Sequence, residues 1–263
     1  MPVSLKEILS STQQGLPALR DRRDALERQI QGSRLARPSF RAALRRPTVA
    51  IIAEVKRRSP SAGSIREDLD PGERAALYWA HGAAAISILT DGPYFGGSMQ
   101  DLRTAAQYCP LPLLRKDFIL DEIQILEARA AGASAVLLIV RVLQRSRLEE
   151  LLRYATDLGL DALVEVHTSS ELAGALEAGA AVIGVNSRDL DTFKIDTKAA
   201  WKIVREVPAD RIAVAESGMA VKADIERVAE AGADAVLIGT ALSAAPAPDR
   251  LLGELAAVRR HGR

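Results

Sequence analysis

The sequence predicts an α/β protein: an eight-stranded parallel (β/α)8 TIM barrel preceded by an N-terminal helical extension. Three observations lead there. The first is a recurring pattern of glycine, a small residue and then an apolar run. It occurs as Gly82-Ala83-Ala84-Ala85-Ile86-Ser87-Ile88-Leu89, as Gly132-Ala133-Ser134-Ala135-Val136-Leu137-Leu138-Ile139, as Gly179-Ala180-Ala181-Val182-Ile183-Gly184-Val185 and as Gly232-Ala233-Asp234-Ala235-Val236-Leu237-Ile238-Gly239. The second is spacing. Successive copies lie on the order of 50 residues apart, room for two βα units, so every interval must hold one more strand. The third is how the apolar runs end: on Glu54-Val55-Lys56, Arg115-Lys116-Asp117, Glu165, Asn186 and Glu216-Ser217. A charge at the end of a buried strand is costly unless it is paired or faces a wet cleft.

Taken in order, residues 1–48 precede the first strand and lack the repeat; residues 5–10 and 16–30 read as helices, and Pro38-Ser39-Phe40 begins another short one. This is too little chain for an independent domain, so an appendage is expected, packed over the bottom of the barrel or as a lid at its top. The barrel is expected over residues 49–263. Its intervening strands are 49–55, 113–116, 161–166 and 212–216, short and unalternating as suits strands buried on both faces. Amphipathic segments at 71–81, 121–131, 147–158, 170–178, 198–207, 220–231 and 249–259 supply helices. The repeat glycines fall where helix-ending left-handed caps belong. An open doubly wound sheet would carry a G-x-G-x-x-G turn or a P-loop after the first strand, whereas this strand runs into Arg57-Arg58-Ser59-Pro60-Ser61.

Composition narrows the class. At 48% hydrophobic and 26% charged, the 263 residues can bury a sizeable core. A formal net charge of +1 gives no electrostatic case for nucleic acid, and the charge-rich stretch at 20–28 mixes both signs, as a solvated helix face does. Cys109 is the only cysteine, so no intrachain disulfide forms and a reducing, cytoplasmic setting is expected. His81, His167 and His261 are scattered without zinc-site spacing, so no metal is expected. No apolar run reaches membrane-spanning length, and no signal peptide opens the chain, so no membrane partner is expected.

Side chains alternate along a strand, so Glu54 and Lys56 share a face with Ala50 and Ile52. If that face points inward, both project into the barrel at its C-terminal end, and Lys116, Glu165, Asn186 and Glu216 hold equivalent positions. A lone charge there also fits a salt bridge closing the barrel mouth; the convergence of two lysines, three glutamates and an asparagine points to a site. After the last two strands, Glu216-Ser217-Gly218 and Gly239-Thr240 put small residues in loops where barrels bind phosphate through backbone N–H groups.

These motifs together resemble one family. Ile52-Ala53-Glu54-Val55-Lys56-Arg57-Arg58-Ser59-Pro60-Ser61 is similar to the first-strand signature of indole-3-glycerol phosphate synthases, and Leu114-Arg115-Lys116-Asp117-Phe118-Ile119 to the third. Leu163-Val164-Glu165-Val166-His167, Gly184-Val185-Asn186-Ser187-Arg188-Asp189-Leu190 and Ala215-Glu216-Ser217-Gly218 resemble the fifth, sixth and seventh, while Thr90-Asp91 and Phe95-Gly96-Gly97-Ser98 fit the second loop. The resemblance runs in order over residues 40–242. It implies a carboxy-lyase of tryptophan biosynthesis that closes the ring of 1-(2-carboxyphenylamino)-1-deoxyribulose 5-phosphate and releases carbon dioxide and water, with no cofactor and a small-molecule phosphosugar as its partner.

The same resemblance implies roles. Lys116 is the general acid toward the sugar carbonyl, and Glu165 is the base of the later dehydration. Lys56, held by Glu54, meets the substrate carboxylate and is a candidate proton donor to the departing hydroxyl, and Asn186, Glu216 and Ser217 line the reacting centre. Ser59, Arg188, Gly218, Gly239 and Thr240 surround the phosphate; Phe95, Phe118, Leu137 and Leu190 surround the aromatic ring, although Phe95 and Phe118 also fit plain core. Attack on a ketone needs a proton for the developing alkoxide, and a lysine beside a second cation is expected to have a lowered pKa. Ala62, Ser187 and Thr240 depart from the family pattern, where lysine, asparagine and serine or glutamate are more usual. Two rivals use the same barrel: a Schiff-base aldolase, and a barrel that binds a phosphosugar without turning it over. Oligomeric state is not encoded legibly, and a monomer is compatible with the chain.

Overall fold

The computed structural model describes residues 4–32 and 37–262; residues 1–3 and 33–36, which fall within the expected N-terminal extension, and residue 263 lie outside the described residues. Among the described residues, eight parallel strands close a barrel: β1 (Ala50–Val55), β2 (Ala85–Leu89), β3 (Leu113–Lys116), β4 (Ala135–Ile139), β5 (Asp161–Val166), β6 (Val182–Asn186), β7 (Ile212–Glu216) and β8 (Ala235–Ile238). Each pairs with its sequence neighbour, and β8 closes on β1 with Ala50 opposite Ala235. The expected fold class is the one observed.

Strand parity sorts the interior. Ala50, Ile52, Leu114, Leu163, Val182, Ile212, Val214 and Leu237 belong to one buried cluster inside the barrel. Ile51, Ala53, Leu113, Val164, Ile183, Ala213, Ala215 and Val236 belong to another, between the strands and the outer helices. Glu54, Lys116, Glu165, Asn186 and Glu216 share the parity of the inner set, so the pleat aims all of them at the axis.

The outer layer is α4 (Pro71–Ala80), α5 (Met99–Tyr108), α6 (Glu122–Ala130), α7 (Arg145–Asp157), α8 (Ser169–Glu177), α9 (Thr197–Glu206) and α10 (Lys222–Glu230), with α11 (Thr240–Ala244) and α12 (Pro248–Ala256) following β8. The repeat glycines do end helices in left-handed geometry: φ is 99° at Gly82, 91° at Gly132, 87° at Gly179 and 94° at Gly232. At each, the next N–H reaches back into the last helical turn, as Ala133 N to Ala128 O does at 2.9 Å.

The helical reading of the sequence passed over α5. Its start was legible, since Ser98 caps it by accepting from the Asp101 N–H at 3.1 Å. The expected break near residue 11 is also absent: α1 runs unbroken over Leu5–Arg20, and α2 covers Arg23–Gly32. Thr12 Oγ1 donates to Ile8 O at 3.1 Å, and burial of Ile8 and Leu16 two turns apart holds a stretch rich in weak helix formers.

The segment before β1 meets both ends of the barrel. α3 (Phe40–Ala43) is fixed at the bottom, where Asp161 Oδ2 at the start of β5 accepts from Ser39 Oγ and from Arg41 N, each at 2.9 Å. Phe40 and Leu44 are fully buried against the first inward residues of the strands. At the other end Leu5 and Ile8 of α1 reach the inner cluster beside Phe118 and Ile139. Phe40→Ala is therefore expected to cost roughly 3–5 kcal/mol, the range for deleting a buried phenylalanine. Urea unfolding checks it, and a loss under about 1 kcal/mol would show that Phe40 is not a plug.

Candidate active site

The five inward-facing polar ends meet at the C-terminal mouth. Glu54, Glu165 and Glu216 are only 3%, 1% and 2% exposed, and carboxylates so placed need cations. Lys116 Nζ stands 3.3 Å from Glu216 Oε2 and 3.5 Å from Glu165 Oε2, while Lys56 Nζ stands 3.6 Å from Glu54 Oε1. Ser87 Oγ on β2 donates to the other Glu54 oxygen at 3.3 Å.

Two glycines make space for these charges. A Cβ at Gly184 would overlap Glu216 Oε1, and one at Gly239 would overlap Glu54 Oε1. Gly184 thus lets the Glu216 carboxylate lie across β6 toward Lys116, and Gly239 seats the one that holds Lys56.

The electrostatics correct one expectation. Burial opposes the charge on Lys116, but Glu216, Glu165 and Glu54 together outweigh it and raise its pKa above the ordinary lysine value. The expected lowering by a second cation occurs at Lys56 instead, where burial lowers the pKa, Glu54 opposes, and Lys116 and Arg188 add to the lowering. Burial pushes Glu216 up to about 7, against the pull of Lys116 and with the help of Glu165 and Glu54.

A cavity opens above this floor, with Lys56, Ser59, Asn186, Arg188 and Ser217 on its polar side and Phe95, Phe118, Leu137 and Leu190 on its apolar side. Phe95 and Phe118 are ring neighbours, their centroids 6.3 Å apart. Phe95 is held by Asp91, whose Oδ1 accepts from Tyr94 N at 2.8 Å and Phe95 N at 3.1 Å. Arg188 crosses to the opposite loop and donates to Ser61 Oγ at 3.3 Å. Ser187 donates to the backbone carbonyls of Glu216 and Ser217 at 2.9 Å each, so this departure from the family pattern braces the floor. Ala62 donates its N–H to Ser59 Oγ at 3.1 Å.

Glu216, Gly218, Gly239 and Thr240 do not line the cavity as the other expected residues do, Glu216 lying beneath it against Lys116. Gly218 follows Ser217 in a turn with φ of 76° and 65°, and Thr240 opens the short helix α11.

The sequence reading missed other contributors. Leu5 and Ile8 of α1, with Ile139 and Phe193, complete the apolar wall; no strand-end motif marks them. Arg115 points outward into a buried network with Asp117 Oδ2 at 3.0 Å and Glu127 Oε2 at 3.1 Å, which anchors the strand end that carries Lys116. A larger cleft of about 680 Å³ at the N-terminal face, between Arg129, Arg153 and Asp161, lies at the opposite end from the lysine and glutamate cluster. Among the described residues no cluster of His, Cys, Asp and Glu could hold a metal ion. No helix among them is long and apolar enough to cross a membrane.

Comparison with known proteins agrees with the geometry. The model of the family described as indole-3-glycerol phosphate synthase matches residues 5–255. The indole-3-glycerol phosphate synthase of Opitutus terrae is 45% identical over 265 residues, covering 98% of this chain and 100% of that one. That of Desulfosudis oleivorans is 53% identical over 192 residues, 73% of each chain. Among solved structures, a 3-hexulose-6-phosphate synthase superposes with a TM-score of 0.64 at 17% identity, over 80% of this chain and 99% of that one, which is a likeness of fold alone.

The tight seat of Glu216 yields a direct expectation. Gly184→Ala should displace the carboxylate from Lys116 and cut turnover by about 10²-fold, the loss typical of a misplacement near 1 Å, with the far-ultraviolet circular dichroism unchanged. Turnover within about twofold of the parent would show that Glu216 tolerates another position.

Proposed function

The chain belongs to the indole-3-glycerol phosphate synthase family, and from that premise we propose how its residues divide the work. It is a carboxy-lyase of tryptophan biosynthesis that acts on a small phosphosugar-type molecule, 1-(2-carboxyphenylamino)-1-deoxyribulose 5-phosphate. We take residues 1–48 as the helical extension and residues 49–263 as the catalytic barrel, working in the cytoplasm. The lone cysteine supports that setting.

One observation carries the division of labour: an ammonium and two carboxylates share the barrel floor within 3.5 Å, directly beneath an apolar wall. The ring lies on Phe95, Phe118, Leu137 and Leu190. Its carboxylate meets Lys56, held by Glu54, and the phosphate lies toward Ser59, Arg188 and the Ser217-Gly218 turn, with Gly239-Thr240 behind. The ring carbon bearing the carboxylate attacks the ketone carbon while Lys116 delivers a proton to the ketone oxygen. Carbon dioxide then leaves and its bonding electrons restore the aromatic ring. Loss of the former ketone oxygen as water, with Lys56 giving a proton to the departing hydroxyl and Glu165 taking one from the adjacent carbon beside the ring nitrogen, gives indole-3-glycerol phosphate. Asn186, Glu216 and Ser217 flank the reacting atoms.

The raised pKa of Lys116 keeps it protonated through neutral pH, the form an acid must have before it acts. Its carboxylate neighbours hold that proton until a stronger demand, the developing alkoxide, arrives. Family membership does not favour a Schiff-base aldolase, nor does a binding-only barrel have use for an acid set against a base.

Lys116→Ala is expected to lower kcat by roughly 10²–10⁴-fold with a much smaller change in KM. Lys116→Arg should not rescue it, because a guanidinium does not release its proton near neutral pH. Lys56→Ala should raise KM as well. Continuous fluorescence of indole-3-glycerol phosphate formation measures all three. A folded Lys116→Ala protein with near-parental turnover would move the acid to Lys56.

A further inference from the structure

His167 has no part in the chemistry just described, yet its side chain is 4% exposed and set between two carboxylates. It follows β5 two residues after Glu165, so both side chains leave the strand on the same side. Its Nε2 lies 3.5 Å from Glu165 Oε1, the oxygen turned away from Lys116, and its Nδ1 lies 3.4 Å from Glu171 Oε2. The same Glu171 oxygen accepts the His167 backbone N–H at 2.6 Å, which fixes the ring at its root. We propose that His167 is a positioning residue whose imidazolium holds Glu165 as an anion and fixes the direction of its carboxylate; this rests on the reading of Glu165 as the base.

The need for a second cation follows from the floor itself. Lys116 serves both Glu165 and Glu216. Once it delivers its proton to the ketone, two buried carboxylates are left facing a neutral amine. Glu216, raised to about 7, is the one ready to take up a proton. Glu165 must stay ionised to act later in the same turnover. A cation on its far oxygen that takes no part in the first proton transfer does this.

The surroundings favour a charged ring. Burial works against the imidazolium, but Glu171 and Glu165 outweigh it and raise its pKa above the ordinary histidine value, with Arg141 acting in the opposite sense. The charged groups that face Glu165 are Lys116 from β3, Glu216 from β7 and His167 itself. Those facing His167 are Glu165, Glu171 from α8 and Arg141 from the turn after β4. The chain of ions continues outward: Arg141 donates to Glu171 Oε1 at 3.2 Å and to Asp189 Oδ2 at 3.1 Å. Asp189 in turn organises the loop bearing Arg188 and Leu190, accepting from Thr192 N at 2.7 Å.

The test is the pH dependence of kcat from pH 5 to 9 for the full chain and for His167→Gln, which keeps a hydrogen-bonding group and loses the charge. Without the imidazolium the base loses the cation on its far side, so the acidic limb of the profile should move to higher pH by roughly half to one unit. The loss should approach about three- to tenfold on the acidic side of that limb and shrink as pH rises, with KM within about twofold. Loss by the same factor at every pH would reduce His167 to packing and overturn the proposal.

Imidazole ¹⁵N spectra of the unaltered protein give a second reading that needs no variant at position 167, the other two histidines being assigned with His81→Gln and His261→Gln. His167 should be protonated at pH 6, and a neutral ring there would overturn the proposal. Glu165→Gln separates the premise from the inference. If it retains turnover, the base lies elsewhere. If it abolishes turnover while the His167→Gln limb stays in place, only the role given to His167 falls.

Discussion

Everything at the mouth of this barrel depends on keeping three carboxylates almost out of water. Glu54, Glu165 and Glu216 come from three separate strands and converge on a volume that two lysines must neutralise. Isolated, each would take up a proton or draw in solvent. Together with Lys56 and Lys116 they form a cluster in which moving any one proton alters the stability of the others. The fold supplies what such a cluster needs: a closed sheet whose strand ends cannot drift apart, and glycine at the two positions where a side chain would collide with a carboxylate.

The two lysines are not equivalent within that cluster. Lys56 lies on the rim with one carboxylate, and burial with neighbouring cations lowers its pKa; Lys116 lies between two and is raised. The difference is one of address rather than residue type. Two identical side chains on one floor are thereby shifted in opposite directions.

Much of this was legible in the sequence because the signals are local. Strand parity placed Glu54, Lys116, Glu165, Asn186 and Glu216 on one face, and Gly82, Gly132, Gly179 and Gly232 marked helix ends through a backbone geometry that favours glycine. What escaped depends on contacts between distant residues. The pKa direction at Lys116 follows from the approach of Glu216, a hundred residues away in the chain, and not from Arg115 or Asp117 beside it. The unbroken course of α1 follows from burial of Ile8 and Leu16, which local propensity does not reveal. The placing of Leu5 and Ile8 in the cavity wall is likewise a tertiary fact.

That last feature bears on how such a protein changes over generations. The lysines and glutamates of the floor sit on strand ends, where each residue is fixed by the pleat and by neighbours on both sides. Part of the apolar wall of the cavity is borrowed from α1, which contributes no strand to the barrel. Substitutions at Leu5 or Ile8 can reshape the apolar end of the cavity without disturbing the register of any strand. The shape of the apolar end and the charged floor are thus inherited on separable parts of one chain, and each can be tuned while the other is held constant.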